Sequence, residues 1–157
     1  KYVFNPFQLV MNRGHYYLVG NHENYDDMST LRVDRIAHIT VLNERRKPLR
    51  EIKGYQQQRT FNVSQYVKEH IYMFGGESIT VTFKARRSIV NQILDWFDGN
   101  VEFTNITADN VVCRVRVNHD AFKYWALQYM QSVKVLTPAS LVTEVKAAIE
   151  EGLHQYS

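Results

Sequence analysis

Between Ser78 and Tyr156 the spacing of the apolar residues changes in a fixed order, and that order restricts the fold more than any other feature of the chain. SITVTFKA, 78–85, alternates apolar and polar residues with the period of a strand. In SIVNQILDWFD, 88–98, Ile89, Ile93, Leu94, Trp96 and Phe97 fall at near-helical spacing, and Gly99 follows as a stop. VEFTNIT and VVCRVRV read as two more strands, joined by a turn at Ala108-Asp109-Asn110. Asn118 is placed to cap a helix whose apolar face is Phe122, Trp125, Ala126, Tyr129 and Met130. VKVL is a fourth strand. Thr137 then reads as an N-cap, with Pro138 at the first position of a last helix, SLVTEVKAAIEEGLHQY. The order β-α-β-β-α-β followed by a helix predicts a ferredoxin-like, split-βαβ domain.

Gly75-Gly76 is the clearest breaker in the chain and divides this domain, 77–157, from a first one over 1–74. The first domain reads as short strands. QLVMNRGHYYLVG is a hairpin with its turn at Asn12-Arg13-Gly14. TLRVDRIAHITVL is rich in the β-branched residues that suit a half-buried pleated surface. Residues 43–62 are polar, basic and without clear period, hence loop; SQYVKEHIY is a short helix with Ser64 as its N-cap. Short strands with at most one helix predict a small barrel or curled sheet, so the chain as a whole belongs to the α+β class.

Hydrophobic and aromatic contents of 45% and 13% support packed cores and exclude a disordered chain. No apolar run reaches the roughly 20 residues of a membrane helix, and the single Cys113 excludes an internal disulfide and fits a reducing compartment, so a soluble cytoplasmic protein is expected. Charge is uneven: residues 1–70 hold eleven Lys and Arg against seven Asp and Glu, whereas residues 71–157 hold eight against nine. An anionic partner is therefore expected on the first domain. Glycine-rich phosphate loops, HExxH and GxSxG are absent. His15 and His22 are seven apart with no Cys or third His nearby, so no metal site is expected. Cys113 shares its parity with Val111, Val115 and Val117, where a thiol is inert packing. Neither an enzyme nor a cofactor is indicated.

Two places resist a purely structural reading. In TLRVDRI, Leu31 and Val33 share one parity and Arg32 and Asp34 the other, so strict alternation turns Arg35 to the apolar side. Either the strand bulges there, or Arg35 faces a partly enclosed space and needs an anion; an ion pair with Asp34 or a surface acid is the plainer account. In RGHYYLVG, Tyr16 and Leu18 share one parity and His15, Tyr17 and Val19 the other. Tyr16 is expected to pack, while Tyr17 either packs or lines a cleft. A tyrosine beside arginines can stack a base while the cations pair its phosphate.

These residues resemble the WYL domain of bacterial transcriptional regulators. Tyr16-Tyr17-Leu18 stands where the family has Trp-Tyr-Leu, Pro6-Phe7 followed by QLV is similar to its Pro-x-x-Leu-Val lead-in, and Leu31 to Ile36 is similar to its Phe-Arg-Leu-Asp-Arg-Ile strand. The part from Gly76-Glu77 through VKVLTPASL resembles the C-terminal extension that follows such domains. The resemblance implies a small Sm-like or SH3-like β-barrel in the first domain and a sensor rather than a catalyst. It implies a nucleotide-like or single-stranded nucleic-acid effector bound by Tyr17, Arg32 and Arg35, to which His15 and Arg13 are added on position and chemistry. A homodimer is expected, with the second domain supplying the dimer contact or a lid. Nothing in the chain resembles a helix-turn-helix, so operator DNA is expected to be bound only through a domain absent from this sequence. The sequence starts almost on the lead-in, so earlier strands are expected to be missing and their edge closed by another chain or a further segment. The competing reading is an interaction or oligomerisation module with no small ligand.

Overall fold

A computed structural model describes residues 1–97 and 99–157. It contains two antiparallel sheets and four α-helices, and the chain divides into two units, Lys1–Val67 with Met73–Glu77 and Lys68–Tyr72 with Ser78–Ser157.

The first unit is built on β1 (Phe4–Asn12), β2 (His15–His22) and β3 (Ser29–Arg32), paired in the order β1-β2-β3. Arg13 and Gly14 join β1 to β2 with φ of 49° and 80°. Two successive positive φ values make the hairpin turn whose twist matches that of the strands. At Gly20 the strands run so close that a Cβ would collide with the Asn5 carbonyl oxygen and the Phe4 ring, which excludes any side chain there. The barrel is corrected here: among the described residues no pairing closes these three strands on themselves. The expected strand over 30–42 stops at Arg32, Val33–Arg35 form a 3₁₀ turn, and 36–48 have no regular structure. A small core of Val10, Val19, Met28, Ile52, Tyr66 and Met73 lies against one face of the sheet. It is contributed largely by loops and by α1 (Val63–Glu69). That helix is capped by Asn62, whose Oδ1 accepts from the Gln65 N–H at 3.0 Å, in place of the expected Ser64.

The second unit follows the expected element order. β4 (Ser78–Arg86), α2 (Val90–Phe97), β5 (Val101–Ile106), β6 (Asn110–Asn118), α3 (His119–Gln128), β7 (Val133–Thr137) and α4 (Ala139–His154) succeed one another. The strands pair in the order β5-β6-β4-β7. Asp98, the last residue of the expected second helix, lies outside the described residues. β4 and β6 run in unbroken register from Ser78↔Asn118 to Arg86↔Asn110. Val81, Phe83 and Ala85 of β4 and Val111, Cys113, Val115 and Val117 of β6 turn to one side and pack with Ile93 and Phe97 of α2 and Phe122 and Trp125 of α3. Phe83, Phe97 and Phe122 all surround Trp125 with ring centroids 4.8–5.5 Å away, an arrangement that removes four large rings from water together. Asn118 caps α3 as expected, its Oδ1 accepting from the Ala121 N–H at 3.0 Å. The last helix begins one residue later than expected, with Pro138 as its extended N-cap and Thr137 still in β7. Burial pushes the Cys113 thiol up to about 11, which fits an inert packed sulfur.

Candidate ligand-binding site

The core face of the first sheet fades toward the hairpin tip. Val19 is fully buried, and its cross-strand partner Thr30 sits within 2.9 Å of the Tyr66 hydroxyl. One step outward, Tyr17 lies opposite Arg32; its ring packs against the core cluster and is half-buried. One step further, His15 is exposed. The alternation that buries Val19 therefore carries Tyr17, Arg32 and His15 onto one continuous rim.

Arg32 organises this rim. Its Nε and Nη2 donate to Asp34 Oδ1 and Oδ2 at 3.0 and 2.6 Å, a two-pronged ion pair. The same Nη2 lies 3.1 Å from His15 Nδ1. A guanidinium only donates, so the His15 Nδ1 accepts and its ring proton sits on Nε2, pointing away from Arg32. The hydrogen bond from Arg32 holds the Asp34 carboxyl below its ordinary range, and Asp34 raises the guanidinium in turn. The ion pair is thus present above the ordinary carboxylate range and is lost as pH falls through the lowered value.

The sequence-derived residues separate into groups. His15, Tyr17 and Arg32 come together. Arg35 is exposed on the 3₁₀ turn, and of the two partners expected for it, Asp34 or a surface acid, Asp34 is taken by Arg32. The physical cause is the end of the strand. Residues two apart on an extended strand sit about 7 Å apart, whereas the turn at Val33–Arg35 lets the short Asp34 side chain fold back on Arg32. The turn also removes the parity conflict, because Arg35 no longer belongs to a strand. Arg13 sits exposed in the hairpin turn beyond the rim. Tyr16 is corrected as well: it is 56% exposed on the opposite face, opposite Met11, while Tyr17 packs. Leu9 and Met11 share that outer face and are also exposed. The reading of single residues did not find Arg46, whose guanidinium lies 4.4 Å over the Phe7 ring and donates to the Pro6 carbonyl at 2.9 Å. Only the run of basic residues at 45–47 hinted at it.

Among the described residues no cluster of three or more His, Cys, Asp or Glu is arranged to hold a metal ion, and no helix is long and apolar enough to cross a membrane.

Comparison with known proteins defines the class. The WYL domain model matches residues 1–41, which include the whole rim, and the WCX domain model matches residues 76–153. The chain belongs to the WYL-domain family of transcriptional regulators. No curated protein matches it. Among solved structures it is similar to the proteasome accessory factor B/C (PafBC) of Arthrobacter aurescens, at 19% identity and a TM-score of 0.47. The match covers 98% of this chain and 22% of that one, so the chain spans about a fifth of that protein's length.

Proposed function

We propose that this chain is the effector-sensing and dimerising region of a bacterial transcription regulator, and that the rim of the first sheet binds a nucleotide-like or single-stranded nucleic-acid ligand. The observation that carries this reading is the pairing of Tyr17 with Arg32 across β2 and β3, with His15 at bonding distance. An aromatic face and a cation side by side suit a base and its phosphate. Arg35, which has no ion-pair partner among the described residues, supplies a further cation, Arg32 turns from Asp34 to the incoming anion, and His15 offers its Nε2 proton. Arg13 extends the positive field from the hairpin tip. The role is binding without chemistry, no cofactor takes part, and the cytoplasm is its site of action. In this reading the first unit is an opened relative of an Sm-like or SH3-like barrel. The second is ferredoxin-like, supported by the strand order β5-β6-β4-β7 within a β-α-β-β-α-β chain.

Ligand binding alters the arrangement of two protomers, and through it the spacing of DNA-binding domains carried elsewhere. A ligand shifts that arrangement only as far as it binds one form more tightly. The test is a fluorescence titration of the full chain with a thymidine tetranucleotide and a cyclic dinucleotide at low salt. Binding that weakens with salt, and that Arg32→Ala with Arg35→Ala weakens at least tenfold, is the expected result. A doubly substituted chain that binds like the parent overturns the site.

A second reading has its own support. The exposed outer face of the hairpin, Leu9, Met11 and Tyr16, together with an Arg32 already satisfied by Asp34, suits a protein-interaction module with no small ligand. Absence of any anion binding at low salt favours it.

A further inference from the structure

The four-stranded sheet of the second unit has one face packed on α2 and α3 and one that its own helices leave open. The alternation that buries Val81, Phe83 and Ala85 turns Thr80, Thr82, Lys84 and Arg86 outward. The one that buries Cys113 and Val115 turns Arg114 and Arg116 outward. Lys134 of β7 lies opposite Lys84, and Glu102 of β5 lies opposite Arg114. Lys84, Arg86, Arg114 and Lys134 are exposed, and among the described residues none of them has an ion-pair partner. Arg116 is held by Glu69 at 3.4 Å. Like charges directly opposite one another on neighbouring strands destabilise a sheet, so the pairing of Lys84 with Lys134 has no rationale within the fold.

We propose that this open face binds the phosphodiester backbone of a single-stranded nucleic acid, through Lys84, Arg114, Lys134 and Arg86. Charge complementarity selects a polyanion, and Thr80 and Thr82 add hydroxyl donors between the cations. The shape selects a single strand. A four-stranded face is roughly 14 Å across, and a rigid duplex lying on it touches along one line, whereas a flexible strand reaches cations on three neighbouring β-strands. Sheets that read bases carry aromatic rings on this face; here the outward positions of β4 and β6 include Thr80, Thr82, Lys84, Arg86, Val112, Arg114 and Arg116, with the acidic Glu102 beside them on the outer strand β5, so the contact tracks the backbone and is indifferent to sequence. Beside Arg86 the surface sinks into a depression of about 380 Å³ lined by Arg86, Arg87, Ser88, Ala108, Asp109 and Asn110. The cationic track leads to its edge. This assignment stands on the second unit alone and does not rest on the ligand proposed for the first.

The test uses the full chain and a fluorescein-labelled oligothymidine of about 20 nucleotides, followed by anisotropy across salt concentrations. Replacing Lys84, Arg114 and Lys134 together by Ala is expected to reduce the slope of log affinity against log salt by about 2, at about 0.7 per phosphate contact on a single strand. The same loss is expected in a chain already carrying Arg32→Ala and Arg35→Ala. As a check that needs no substitution, bound oligonucleotide is expected to protect Lys84 and Lys134 from amine modification, read by mass spectrometry, while Lys146 stays reactive. Four results overturn the proposal: no oligonucleotide binding at low salt; an unchanged slope in the triple variant; unprotected Lys84 and Lys134; or displacement by polyglutamate at equal charge, which assigns the face to an acidic protein instead.

Discussion

The two units use the same strand alternation to different ends. In the second, helices α2 and α3 pack on the apolar face, Leu141 of α4 joins the same core, and Trp125, Phe83, Phe97 and Phe122 fill the space between. In the first, three strands carry a small core assembled mostly from loops, and the apolar face runs out before the hairpin does. A face that is covered in this way is committed to stability. One that fades into Tyr17, Arg32 and His15 leaves a rim of half-buried aromatic and paired charge, and such a rim can exchange internal partners for a ligand.

The contrast can be broken most forcefully at Trp125. Trp125→Ala is expected to destabilise the second unit by about 3–5 kcal/mol, seen as a large fall in the denaturation midpoint; a fall of under about 1 kcal/mol contradicts the packed-core account. The first unit is probed by pH. Burial pushes the Tyr66 hydroxyl up to about 12, from an ordinary value near 10. The unfolded chain therefore ionises first, and stability is full below about pH 10 and declines between roughly 10 and 12, by about 2–3 kcal/mol. Tyr66→Phe is expected to abolish that alkaline decline, as read by thermal melts at a series of pH values. A smaller effect of opposite sign is expected on the open face of the second unit. Lys134→Glu removes the repulsion with Lys84 and is expected to stabilise by about 0.2–1 kcal/mol; a loss of stability instead shows that the two lysines are not in opposition.

The second unit was readable almost element by element because its periods are long and its ends are marked, by Gly99 and by the Asn118 cap. The first was readable only as far as its hairpin. TLRVDRIAHITVL has the composition of a long strand, yet the bidentate Arg32–Asp34 pair and the turn at Val33–Arg35 end it after four residues. Propensity describes what a segment tolerates and does not register a short side-chain bridge. The same limit misplaced Tyr16. Parity correctly separated Tyr16 from Tyr17, but which face carries the core was decided by Ile52, Tyr66 and Met73, which arrive from far along the chain. Asn62 was missed as a cap because Ser64, a competent cap by chemistry, stands two residues further on.

The sharpest measurement compares three forms of the full chain for affinity to a thymidine tetranucleotide at low salt. In the structure Asp34 holds Arg32 back from any incoming anion. Asp34→Asn is therefore expected to bind more tightly than the parent, by a few-fold, and Arg32→Ala with Arg35→Ala more weakly, by at least tenfold. All three forms also carry Lys84→Ala, Arg114→Ala and Lys134→Ala, so that the open face of the second unit does not contribute to the affinity compared. Equal affinities, or weaker binding by Asp34→Asn, contradict the assignment of the rim as the anion site.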